Sequence, residues 1–211
     1  MRPTDQKIYL ASKSARRREL LRQIGVEFEL LMLRDHTPRG PEVSEAVLPN
    51  EPAKDYVARV ALAKAEFAHE SMLWRKLPVR PVLGADTTVV VDGRILGKPA
   101  DFQEAVNMMK LLSGRTHQVM TSVAVRHLAE TWQITQLSDV AFAALSDEQI
   151  NSYCLTQEPY DKAGGYAIQG MAAIFIQDIA GSYSGIMGLP LYETAQLLQQ
   201  AGIRTLAQSR H

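Results

Sequence analysis

Cysteine is almost absent from this chain. Cys154 stands alone among 211 residues, which rules out an intrachain disulfide and a cysteine-rich zinc site and agrees with a reducing compartment. Histidine is scarce too. His36, His69, His117, His127 and His211 are scattered and never fall at metal-ligand spacing, so no structural zinc centre is expected. There is no net charge: 23 basic residues cancel 23 acidic ones, leaving no bulk positive field to hold the chain on nucleic acid or an anionic membrane. Any phosphate-bearing ligand must therefore be gripped locally. No apolar run approaches a membrane span, and the opening Met1-Arg2-Pro3-Thr4-Asp5-Gln6-Lys7 has none of the apolar core of a signal peptide, so a cytoplasmic protein is expected. The common nucleotide fingerprints are missing as well. No G-x-G-x-x-G follows a strand, and Gly93-Arg94-Ile95-Leu96-Gly97-Lys98-Pro99 fails as a P-loop, with too short a spacer and proline where serine or threonine is needed.

What is present is ordinary globular composition, 46% hydrophobic and 22% charged, in a length that suits one α/β domain with two closely packed lobes. Strand and helix patterns alternate. Lys7–Ser12 reads as a strand, Ala15–Ile24 as a helix ended by Gly25, and Glu27–Leu33 as a second strand. Arg34 to Glu51 has no apolar period and reads as a long surface loop of the kind that is often functional. Pro52 is placed as the first residue of a helix running to about Glu70. Pro81–Val91 is the most strand-like run and closes on the hairpin dipeptide Asp92-Gly93. Asp101–Leu112 is a capped helix, Gln118–Arg126 and Thr131–Ala141 are strands, and Ser146 and Gln149 sit at capping-box spacing before a helix reaching Tyr153. A glycine-rich stretch, Ala163–Gly170, leads to the strand Ala172–Ile179, and Pro190–Gln200 is the last helix.

Several polar residues stand where local pattern asks for something else. Ser12-Lys13-Ser14-Ala15-Arg16-Arg17-Arg18 puts arginines into the first turn of a helix, where cations are each disfavoured by roughly 0.3–1 kcal/mol unless an anion joins them. Serine hydroxyls, free N–H groups and guanidinium forks there make a phosphate site, or else an exposed basic surface. Asp86 interrupts a valine-rich strand in which apolar residues fall on both faces, so it is either a functional carboxylate or an edge-strand residue on a solvated face. Lys64 shares a helical stripe with Val57, Val60 and Phe67, and is either functional or snorkelling to water. Lys98 is held extended before Pro99. Gln169, in a segment whose glycines permit close approach to a ligand, offers the donor and acceptor that suit a nucleobase edge, although the segment would also pass as a plain turn. Glu45 would pass as a solvated loop acid.

Together these pieces resemble the Maf family of nucleoside triphosphate pyrophosphatases, roughly from Ile8 to Gly202. The resemblance is carried by Leu10-Ala11-Ser12-Lys13-Ser14-Ala15-Arg16-Arg17-Arg18-Glu19-Leu20-Leu21, by Tyr56-Val57-Ala58-Arg59-Val60-Ala61 with Lys64-Ala65, and by Gly84-Ala85-Asp86-Thr87. It continues through Gly97-Lys98-Pro99, Leu112-Ser113-Gly114-Arg115-Thr116-His117 and Asp161-Lys162-Ala163-Gly164 with Ile168-Gln169-Gly170. The last segment is similar to the branch acting on dTTP and UTP; the branch acting on 7-methyl-GTP typically has Ser-Glu-Gly at its end. Ala15 departs from the usual proline and Lys13 from a small residue.

The resemblance implies a mixed α/β, two-lobed fold like that of the inosine triphosphate pyrophosphatases, with a central cleft and often a homodimer. It implies Asp86 as proton acceptor, Arg16, Thr87 and Gln169 as positions linked to substrate choice, and Ser12, Arg17, Glu45, Lys64 and Lys98 as other cleft positions. Glu45 is aligned by counting back eleven residues from Tyr56. The chemistry expected is attack of water on the α-phosphorus of a pyrimidine nucleoside triphosphate. Its roughly four negative charges call for a divalent cation, Mg²⁺ or Mn²⁺, held by Asp86 and Glu45 together with phosphate oxygens. Arg16, Arg17, Lys64 and Lys98 would neutralise the leaving pyrophosphate, and Gln169 would pair with the pyrimidine. Thr87 should point to the opposite strand face from Asp86. The competing expectation is a nucleotide-binding regulator of cell division that does not depend on turnover, a role associated with the family through septum formation.

Overall fold

The computed structural model describes residues 6–33 and 42–205, so part of the long loop, residues 34–41, lies outside the described residues. A seven-stranded mixed sheet runs in the order β2 (Phe28–Leu30), β1 (Ile8–Leu10), β3 (Val82–Val91), β5 (Thr116–His127), β6 (Glu130–Phe142), β7 (Ile176–Ala180), with β4 (Arg94–Leu96) added to β3. β1 is parallel to β2 and β3, and the other pairs are antiparallel. Among the described residues six α-helices accompany it: α1 (Ala15–Gln23), α2 (Ala53–Trp74), α3 (Phe102–Leu112), α4 (Asp147–Cys154), α5 (Tyr183–Met187) and α6 (Leu191–Gln200).

Local chemistry sets most boundaries. Ser14 accepts the Arg17 N–H at 3.3 Å to start α1, Asp101 accepts from Glu104 at 2.8 Å to start α3, and Ser146 and Gln149 form the reciprocal capping box of α4. Asp92 and Gly93 both adopt positive φ, 48° and 73°, as the tight turn between β3 and β4 requires. Several expectations shift, and α5 is an element the sequence did not suggest. β1 and β2 have three residues each, shorter than Lys7–Ser12 and Glu27–Leu33. Pro52 caps α2 rather than opening it, and α2 continues to Trp74. The first part of the expected strand at 172–179 is a 3₁₀ turn, Met171–Phe175: β6 ends at Phe142, opposite Ile176, and the Glu158 carboxylate accepts the N–H groups of Met171 and Ala172. α5 has too few residues to show a period; Ser182 caps it through the Gly185 N–H at 3.0 Å.

β3 organises the core. On one face Val82 packs with Tyr9, Ala68 and Met72, and Val90 with Tyr56, Val57, Val60 and Met120, both under α2. On the other, Leu83 and Ala85 join Leu20, Leu21, Leu197 and Leu198, while Val89 and Val91 join Met109, Leu112 and Phe142. Full burial of such side chains contributes roughly 1.5–3 kcal/mol each. Asp86, Thr87 and Thr88 lie between the paired clusters on both faces, so one polar interval in one strand divides the core in two. The sheet edge breaks at the same place. β3 pairs with β1 as far as Leu83 and with β4 from Val89, so among the described residues Gly84 to Thr88 have no strand neighbour on that side.

Candidate active site

A cleft of about 870 Å³ opens at this break. Of the nine residues singled out in the sequence, Ser12, Arg16, Arg17, Glu45, Lys64, Asp86, Thr87 and Lys98 line it. Gln169 does not: it is exposed, one residue beyond Ile168, which does line the cleft.

The arginines at the start of α1 find part of their missing negative charge in the protein itself. Arg17 donates from Nε to Gly188 O at 2.7 Å, from Nη1 to Ala85 O at 2.8 Å and Ser12 Oγ at 3.3 Å, and from Nη2 to Thr87 Oγ1 at 3.1 Å. Four contacts on a five-donor fork leave little for a ligand. Burial lowers the Arg17 pKa, against the attraction of Asp86, yet a guanidinium stays protonated. Arg17 thus closes the open edge of β3 and ties it to the C-terminal end of α5. Among the described residues Arg16 makes one such bond, Nε to Met187 O at 3.3 Å, against the four of Arg17. Thr87 lies on this face, sharing a 2.9 Å hydroxyl contact with Thr121, while Asp86 faces α2, as strand alternation requires.

Gly84 brings α2 close. A Cβ there would lie 2.6 Å from Ala61 O and Ala65 N, so only glycine lets the helix backbone approach this strand. The approach delivers Lys64, whose Nζ lies 2.7 Å from Asp86 Oδ1 and 2.6 Å from Glu45 Oε1. Its side chain is only 13% exposed, so it does not snorkel. Burial alone would raise the Glu45 carboxyl, but Lys64, Lys98 and Arg17 together hold it below the usual range.

The segment carrying Glu45 is pinned by Tyr56 and Arg59, motif residues to which the sequence alone assigns no role. Tyr56 donates its hydroxyl to Glu45 O at 3.1 Å, and burial with Asp86 and Glu45 nearby pushes that phenol up to about 12, so it remains a donor. Arg59 grips Glu51 with two bonds of 2.6 and 2.8 Å and takes Ala46 O at 2.9 Å. These bonds hold the Glu51 carboxyl down at about 2. Tyr56 and Lys64 stand two turns apart on α2, a spacing that helps to join them. Across the cleft, Gly164 donates to Gly97 O at 2.9 Å and packs where a Cβ would meet Val89, which sets Lys162 and Tyr166 in the wall near Lys98.

Among the described residues the lining holds six cationic side chains, Lys13, Arg16, Arg17, Lys64, Lys98 and Lys162, against three acidic ones, Glu45, Asp86 and Asp161. A chain with no net charge has therefore concentrated positive charge in one concavity. Among the described residues no group of three or more His, Cys, Asp or Glu could hold a metal by itself. The carboxylates of Asp86 and Glu45 meet on one ammonium, which keeps two hard oxygen donors close together. That set fits a Mg²⁺- or Mn²⁺-like ion completing its shell with water and ligand phosphates, and does not fit a soft or tightly caged metal.

Fold and site define an α/β protein with a cationic cleft built around a lysine-bridged pair of carboxylates. A family model described as Maf-like protein matches residues 7–201, and the chain belongs to that family. It is 53% identical over 203 residues to a dTTP/UTP pyrophosphatase of Aromatoleum aromaticum, covering 96% of this chain and 98% of that one. It is 50% identical to the dTTP/UTP pyrophosphatase of Nitrosospira multiformis, over 95% and 97% of the two chains, and 47% identical to that of Dechloromonas aromatica, over 95% and 100%. Among solved structures, the Staphylococcus aureus Ham1 protein aligns with a TM-score of 0.43 and 14% identity over 65% of this chain and 72% of that one, too partial a likeness to carry a fold assignment. No helix among the described residues is long and apolar enough to cross a membrane.

Proposed function

We propose that this protein hydrolyses dTTP and UTP to the nucleoside monophosphate and pyrophosphate. The observation that carries the reading is Asp86, a carboxylate at an open sheet edge inside a cationic cleft, with one oxygen held by Lys64 at 2.7 Å. The names of relatives at 47–53% identity support the same substrates. Asp86 Oδ1 is engaged with Lys64, so Oδ2 is the oxygen that takes the proton from the attacking water. As the new P–O bond forms at the α-phosphorus, the bond to the departing pyrophosphate breaks. Arg16 and Lys98, with the start of α1, receive the charge that builds on the leaving group. Asp86 and Glu45 would hold Mg²⁺ or Mn²⁺, which when bound supplies further neutralisation of the triphosphate. Lys64 keeps the two carboxylates together between turnovers, and Ser12 and Arg17 hold the α1 turn against the strand. Gln169, exposed beside Ile168 and outside the cleft lining, is not given the pyrimidine-edge contact in this reading, and Thr87, bonded to Arg17, keeps its part in substrate choice. A cytoplasmic homodimer acting on small-molecule nucleotides, without nucleic acid or membrane, completes the proposal.

The test is a panel of normal and modified nucleoside triphosphates with Mg²⁺ and Mn²⁺, separating pyrophosphate from phosphate release. One pyrophosphate per dTTP or UTP is expected. Phosphate as the sole primary product overturns the reading, and tight nucleotide binding without turnover would favour a regulator of cell division instead.

A further inference from the structure

One carboxylate remains outside this chemistry although it is enclosed. Glu158 lies just after α4, half-buried, and among the described residues no lysine or arginine neutralises its carboxylate: Lys162 donates instead to its backbone carbonyl at 2.8 Å. Its oxygens accept the N–H of Met171 at 2.7 Å, the N–H of Ala172 at 3.2 Å and the Tyr153 hydroxyl at 3.1 Å. Bonds to an ionised acceptor are about twice as strong as neutral ones, so this is a firm anchor. Burial, with Glu158 beside it, pushes the Tyr153 phenol up, so it stays a donor; it also lies 3.1 Å from Gly165 O. A Cβ at Gly170 would fall on the Glu158 carboxylate, so the anchor depends on glycine at that position. The one hydroxyl proton of Tyr153 is shared between Glu158 and Gly165 O, so the pair holds the segment Gly165 to Met171 firmly at Met171 and more weakly at Gly165. Between the ends, Tyr166 and Ile168 form cleft wall, and Tyr166 is fixed by a 2.7 Å contact with His117 Nε2.

We propose that Glu158 is a positioning residue for base selection: without touching the nucleotide, it fixes the distance between the Tyr166–Ile168 wall and the base. The inference rests on the pyrimidine reading above. Releasing the segment lets the wall recede, which loosens a small base and admits a larger one. Asp86, on β3, is unaffected. A substitution that only weakened the fold would lower all rates together.

Glu158→Gln keeps the shape and removes the charge, and Tyr153→Phe removes one hydroxyl as a milder alternative should the first variant fold poorly. In either, the ratio of kcat/KM for dTTP over GTP is expected to fall about tenfold through a raised KM for dTTP, with kcat changed by less than about threefold. Amide exchange across residues 166–172 should rise about tenfold or more without change in β3. Gly170→Ala should damage selectivity in the wild-type background and much less beside Glu158→Ala, since its clash partner is then gone. An unchanged dTTP-to-GTP ratio, or additive Gly170 and Glu158 effects, overturns the proposal. A wild type that hydrolyses no pyrimidine triphosphate overturns the function itself and with it the selectivity role, and the panel distinguishes that outcome from an active enzyme whose ratio does not move.

Discussion

Arg17 offers the sharpest separation between holding the protein and holding the substrate. Arg17→Met keeps the aliphatic stem and removes every donor. Gly188 O and Ala85 O, both on buried residues, lose partners at 2.7 and 2.8 Å, and Ser12 and Thr87 lose weaker ones. Leaving a buried acceptor unpaired costs about 1–3 kcal/mol, and removing a desolvated guanidinium returns part of that, so a net loss of about 3 kcal/mol is expected. For a chain of this size that corresponds to a fall in Tm of about 6–12 °C. Arg17→Lys should fall between, because an ammonium cannot reproduce a fork spanning four acceptors. Thermal and urea unfolding without nucleotide read the effect directly. A Tm within about 2 °C of wild type, combined with a large rise in KM, would refute the brace and return the fork to the phosphates.

Asp86→Asn should lower turnover about 10²–10⁴-fold with Tm almost unmoved, because Lys64 keeps Glu45 at 2.6 Å; near-normal turnover in the folded variant would pass the base to Glu45. Gly84→Ala should cost about 1–3 kcal/mol, seen in urea unfolding, since its Cβ meets helix backbone rather than a movable side chain, and a wild-type midpoint would mean that α2 can retreat freely. Burial holds the His117 pKa down at about 4 against an ordinary 6.5, so the unfolded chain binds the extra proton between those values and stability drops as pH falls through that window. The loss by pH 4 is about 3 kcal/mol, and His117→Gln should remove that much of the acid limb; parallel curves for the two proteins would show that the imidazole does not titrate with unfolding.

Alternation of strands and helices was legible because caps and turns are local: Ser14, Asp101, Ser146 and Asp92-Gly93 act within four residues of themselves. Asp86 and Lys64 were legible as violations of their own pattern, and the structure explains why each is tolerated, since each neutralises the other. The 3₁₀ turn at 171–175 was not legible, because it depends on where β6 ends and on a carboxylate thirteen residues away in the chain. Arg17 read as a phosphate ligand because sequence shows a cation at a helix start and hides the carbonyls at the end of α5 that meet it. Gln169 read as part of the cleft because spacing cannot tell which residue of a turn faces inward; Ile168 does.

The interrupted edge of β3 divides labour by stiffness. Asp86 belongs to nine consecutive cross-strand pairs with β5, so its carboxylate moves only if the centre of the sheet moves. The surfaces that would meet the base belong instead to a turn tied down by a handful of side-chain bonds, which open at far lower cost than a central ladder. Substrate range can therefore drift by substitutions in the turn without relocating the reacting group. Heating should reverse the usual order of failure: the protein becomes promiscuous before it becomes inactive, and a nucleotide panel run up the temperature scale would resolve the two events.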